Sequence, residues 1–230
     1  MLGSIRSEPL ATNKTLLYVI MCQVLDLFIF GQWHIYKCCE QAEQNEVRNI
    51  EQLIKELIPP SDYQNRNGFS NEHIVLSLTE KEKVEVERIL IEMLEKNEDD
   101  LIGETLTIMK SADSLPALQK RLNLSKSPTM KIIWASYINE IKNGDEEMKE
   151  IALNEMDKVS EKYSRIGIFH HLTKFSNDRI NNKIRNFINH KDYLTAYNAR
   201  TSLGIDTTEI IKLKQIKNGI GTKKWWGIWK

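Results

Sequence analysis

Between Ser114 and Gly204, apolar residues recur at helical spacing in three successive pairs of stripes, separated by glycines and capping residues. In the first pair, Ser114 precedes Leu115-Pro116, and Ser127-Pro128 supplies a cap and a first-turn proline ahead of Ile132, Ile133, Trp134, Tyr137, Ile138 and Ile141, which stop at Gly144. Asp145 opens the second pair. Its first helix is predicted to bury Met148, Ile151, Ala152, Met156, Val159 and Tyr163, and its second Ile166, Phe169, Leu172 and Phe175. The third pair begins near Ser176, with Ile180, Ile184, Phe187 and Ile188. It continues from Asp192 through Leu194, Tyr197, Ala199 and Leu203 to a left-handed C-cap at Gly204.

Each pair occupies about 30 residues, the period of helical repeat arrays. The pattern therefore predicts an all-α chain whose helical hairpins stack as a short α-solenoid. The segment from His190 to Gly204 resembles the second helix of a HEAT-type repeat, with an Asp cap, a small residue at Ala199 for close helix approach and Leu-Gly at the end. The resemblance spans about residues 100–216 and departs from the family where the first pair carries Trp134 at the position equivalent to Ala199. A likeness to small bacterial HEAT-like proteins implies an inhibitor or immunity-type role. A likeness to HEAT-like DNA-repair glycosylases implies nucleic-acid binding.

Upstream, Val47, Ile50, Leu53, Ile54 and Leu57 form one face of an amphipathic helix that Pro59-Pro60 must end. The polar stretch that follows suggests a loop or boundary over 61–78. A capping box, Thr79 to Glu82, then starts a helix burying Val86, Ile89, Leu90, Met93 and Leu94, and Asn97 to Asp100 separates it from Leu101 to Lys110. Past Gly204, Asp206 to Glu209 reads as another capping box. The expected organisation is an N-terminal helical segment over 1–60, the boundary over 61–78, helical repeats over 79–216 and a basic aromatic tail over 217–230.

Residues 15–36 are the strongest apolar concentration in the chain. Asp26 interrupts them, leaving runs shorter than the roughly 20 residues a bilayer requires, and its insertion costs about 3 kcal/mol. A buried N-terminal helix, a membrane or interfacial helix and a cleaved signal all remain open as readings. Met21 before Cys22 is larger than a lipoprotein signal prefers. Cys22, Cys38 and Cys39 cannot all pair within the chain, which favours a reducing, cytoplasmic setting, with membrane association as the alternative.

Net charge is zero, yet acids dominate residues 1–115 and bases dominate 116–230. Such polarity can steer a charged partner. No catalytic arrangement emerges. Gly219-Ile-Gly221 with Thr222-Lys223-Lys224 lacks phosphate-loop spacing, and adjacent His170 and His171 point about 100° apart on a helix, so they cannot share a metal as an i, i+4 pair can. No cofactor is expected. Trp225, Trp226 and Trp229 beside Lys223 and Lys224 suit a protein pocket, nucleic-acid stacking or a lipid interface, and they equally suit a cap over the open end of the array. Trp134, Tyr137, Tyr193 and Tyr197 on the repeat helices suit core packing first, with an aromatic floor to a concave groove as the alternative, and Trp134, Tyr197 and Arg200 complete the candidate partner-binding set. The expectation is a non-catalytic module that binds another protein. Nucleic acid through the basic C-terminal half, or a membrane through residues 15–36, is the alternative partner.

Overall fold

The computed structural model describes residues 48–217. The apolar segment 15–36 and the lysine- and tryptophan-bearing residues 223–229 lie outside the described residues. Within them the fold is all-α, with no strand.

Helix α1, Ile50–Leu57, begins where the Asn49 side chain accepts from the backbone N–H groups of Glu51 and Gln52, and it buries Leu53 and Leu57. Pro59-Pro60 prevents continuation, as the sequence pattern requires. The next segment corrects the expectation of a loop or boundary over 61–78. It contains α2, Tyr63–Arg66, and α3, Glu72–Leu76, and it buries Asn71, Val75 and Leu78. Its polar residues are fasteners. Arg66 donates to Pro59 O and grips both oxygens of Asp99 at 2.6 Å, while Asn71 Nδ2 donates to Leu57 O at 3.0 Å and Thr105 Oγ1 at 2.7 Å. The guanidinium hydrogen bonds hold the Asp99 carboxyl below its ordinary range. Residues 49–217 belong to one compact unit.

The remaining helices are α4 (Glu80–Lys96), α5 (Asp100–Ile108), α6 (Leu115–Leu124), α7 (Pro128–Ile141), α8 (Glu146–Met156), α9 (Lys162–Thr173), α10 (Asp178–Arg185), α11 (Tyr193–Ser202) and α12 (Thr208–Lys217). Their ends follow local chemistry. Thr79 and Glu82 form the reciprocal capping box, and Ser127, Asp145 and Asp192 each accept from the backbone N–H three residues on. Gly144 and Gly204 sit at φ +118° and +67°, where a Cβ would be strained. At α12 the expected box resolves differently, because Asp206 Oδ1 accepts from the N–H and hydroxyl of Thr208.

The second helices of successive pairs neighbour one another in chain order, α5 against α7, α7 against α9 and α9 against α11. In the other row, α4 packs on α6 and α8 on α10. The pairs overlap more than their sequence period suggests. Helix α8 lies mainly against α7, because the left-handed turn at Asn143-Gly144 folds it straight back, with Asn139 Oδ1 accepting from Asp145 N. Every residue from Ile132 to Asn139 is buried, so the middle of α7 is enclosed by α5, α6, α8 and α9, and only its ends, Glu140 among them, reach the surface. One hydrophobic core runs without a break from Leu53 to Ala199. Tyr163 departs from its expected place on the core face: it opens α9 and is 68% exposed.

Candidate interaction surfaces

Of the two readings of Trp134, core packing or a partner-facing floor, the structure shows the first: the indole lies in the core, 1% exposed. The reason is Gly103 on α5. A Cβ there would stand 2.6 Å from the Trp134 ring and 2.9 Å from Tyr137, so glycine leaves the space that the indole fills. Thus a missing side chain on one helix balances a bulky one on the next, and the Trp134 departure from the repeat pattern does not interrupt the stack. On the other flank, Tyr137 meets His171 of α9 edge-on, with ring centroids 5.6 Å apart.

His171 and His170 divide as their 100° offset requires: the first is half-buried, the second exposed. Ser136 Oγ gives its proton to Ile133 O at 2.8 Å and lies 3.1 Å from His171 Nδ1. A hydroxyl has only one proton, so the network assigns Nδ1–H as donor to the serine oxygen. Burial, reinforced by Lys174 and His170, pushes the His171 imidazole down to about 4.

Tyr197 has a different setting. It is half-buried and stacked on Tyr193, centroids 5.8 Å apart at 29°, and Lys214 Nζ of α12 sits 3.9 Å from the Tyr193 ring centroid. Leu213 and Ile216 remain exposed on α12. Arg200, the third candidate on these helices, is half-buried and makes three hydrogen bonds within the fold. Its Nε donates to Ile188 O at 2.9 Å, Nη2 to Asn189 Oδ1 at 2.8 Å and Nη1 to Asp206 O at 3.2 Å, fastening the turns on both sides of α11. Each of these bonds leaves less of the fork for a ligand.

The structure also assembles a surface that the sequence did not reveal. A cleft of about 290 Å³ opens among α3, α5, α7 and α9. Its polar lining includes Asn71, Glu72, Glu104, Glu140, His170 and Lys174, and its apolar lining Phe69, Leu101 and Ile108. Lys174 pairs with Glu140 at 3.1 Å. Glu104 is half-buried and has no hydrogen bond or ion pair among the described residues. The carboxylates register nearby: burial first, then Glu104, Asp100 and Glu140, raise the Tyr137 phenol well above its ordinary value. Residues so far apart in the chain carry no shared motif, and only the stacking of α5, α7 and α9 brings them together.

Among the described residues, no group of three His, Cys, Asp or Glu side chains is placed to hold a metal ion, and no helix is long and apolar enough to cross a membrane. No family model, curated protein or solved structure matches the chain.

Proposed function

We propose that the chain is a non-catalytic protein-binding module of HEAT-like design, an inhibitor or immunity-type protein that holds and occludes a partner on the surface around the cleft where its second helices α5, α7 and α9 meet. The observation that carries this reading is the unbroken neighbour order α5, α7, α9, α11, with a cleft of side-chain dimensions opening across the first three. A stacked array presents a long, rigid surface, and rigid surfaces bind with less ordering cost. The test is reconstitution. The full chain, purified with a candidate partner, should form a stoichiometric complex in which hydrogen exchange slows at α5, α7 and α9. Protection confined to other helices, or no complex from any partner recovered with the intact chain, defeats the reading.

A second reading is nucleic-acid binding at the α11–α12 end. The half-buried Tyr193–Tyr197 stack beneath Lys214 favours it, since aromatic faces and cations together accommodate bases and phosphates. Affinity for single-stranded DNA or RNA oligonucleotides should then fall steeply on a log-log plot against salt. Absence of binding at low salt removes this alternative. A membrane-associated adaptor rests on residues 15–36 and is tested by fractionating cells that express the chain with and without residues 1–36.

A further inference from the structure

We infer that the cleft among α3, α5, α7 and α9 receives a guanidinium group, the head of an arginine side chain projecting from the protein partner. This deepens the binding-module reading and rests on it. The argument begins with Asn71, which lines the cleft and is only 2% exposed. Its amide orientation is set by its neighbours. Thr105 Oγ1 already gives its proton to Leu101 O, so toward Asn71 it can only accept, as can Leu57 O, and both take hydrogen bonds from Asn71 Nδ2. The Asn71 oxygen is therefore left as an acceptor without a hydrogen-bond partner among the described residues. That oxygen is not among the fully buried atoms without a partner, so it keeps contact with solvent in the cleft and is open to an incoming donor.

The rest of the lining asks for the same chemistry. Glu104, half-buried and unpaired, adds a charged acceptor from α5, and Glu72 adds a second at the mouth. Glu140 is already neutralised in part by Lys174. Three carboxylates, Glu72, Glu104 and Glu140, line the cleft against the one ammonium of Lys174. Phe69 and Ile108 offer apolar surface for a methylene stem. A guanidinium supplies five N–H donors in a planar fork, which serves divergent acceptors better than a compact ammonium. A partner with exposed arginines also complements the acidic N-terminal half of the chain.

The experiment uses the full 230-residue chain and a capped Gly-Arg-Gly peptide, followed by NMR titration, with the isosteric citrulline peptide as the uncharged control. The arginine peptide should saturate weakly, at about millimolar Kd as expected for a single side chain. Shifted amides should cluster near 69–72, 104–108, 140 and 170–174, and citrulline should not saturate. Glu104→Gln should weaken the arginine peptide about tenfold or more, and the exposed Glu72→Gln, which leaves the helix stack untouched, should weaken it less. Equal binding of arginine and citrulline peptides, shifts elsewhere, or unchanged affinity in both variants would overturn the inference. If a reconstituted protein complex tolerates Glu104→Gln while the peptide never saturates, the module stands and the cleft assignment falls. If the peptide behaves as expected but no protein complex forms, the cleft assignment stands and the module reading fails.

Discussion

Two aromatic pairs on second helices of the array have opposite fates. Trp134 and Tyr137 of α7 are buried, edge-on to each other with centroids 5.9 Å apart, whereas Tyr193 and Tyr197 of α11 stack at the surface under a lysine. The residue types and near-helical spacings are similar. What differs is the neighbourhood: α7 has α5 on one side and α9 on the other, while α11 has α9 on one side and the partly exposed α12 beyond it. An aromatic stripe becomes core when both flanks are occupied and a displayed surface when one is thinly covered. Small residues on the flanking helices, Gly103 above all, then decide how large a ring the interior accepts.

The contrast can be broken most forcefully at its buried pole. Trp134→Ala removes the largest enclosed side chain among the described residues and should destabilise by about 3 to 5 kcal/mol, measured by denaturant unfolding; a loss below 1 kcal/mol would show that the indole is not a packing element. Gly103→Ala comes next. Better helix propensity returns up to about 1 kcal/mol, but a methyl placed 2.6 Å from a confined ring costs more, and a net loss of about 1 to 3 kcal/mol is expected. In a Trp134→Ala background the same substitution should cost clearly less, since the two residues share one space.

A titration sharpens the comparison further. In the unfolded chain the His171 imidazole has its ordinary value near 6.5, and the fold lowers it to about 4. Between those values the unfolded chain holds the proton and the folded chain does not, so stability falls as pH drops through this window. The slope is at most about 1.4 kcal/mol per pH unit, and above the window the contribution is fully present. His171→Gln should flatten that part of the stability profile; an unaltered slope would place the titration elsewhere.

The smallest effects belong to the exposed pole. Tyr197→Ala should cost about 1 kcal/mol or less, because the side chain is already partly exposed. Thermal unfolding of Tyr197→Ala and Trp134→Ala in parallel would test the comparison directly. Similar losses at the two sites would dissolve the distinction between interior and display.

Much of the local structure was legible from residues close together in the chain. Ser127-Pro128, Asp145 and Asp192 announce helix starts because their side chains bond backbone groups only three residues away, and Gly204 announces an end because its φ is open chiefly to glycine. Where the reading departed from the fold, the deciding partner was distant. The polar stretch after Pro60 resembled a boundary, yet Arg66 and Asn71 find Asp99 and Thr105 across more than thirty positions. Arg200 looked available to a ligand until the turns around α11 closed on it. Tyr163 had helical spacing with the residues of α8 but falls in the next helix.

By itself, the sequence determined that the described residues form an all-α fold and where most of its helices begin and stop, because capping, glycine geometry and apolar periodicity act over a turn or two. Tertiary structure alone decided which aromatics are interior, which cations are spent on the fold and that Asn71, Glu104, Glu140 and Lys174 share one cleft. Those outcomes depend on which helix lies beside which. The same stripe of residues can be buried or displayed, and the difference is settled only when neighbouring helices exclude water from both of its flanks.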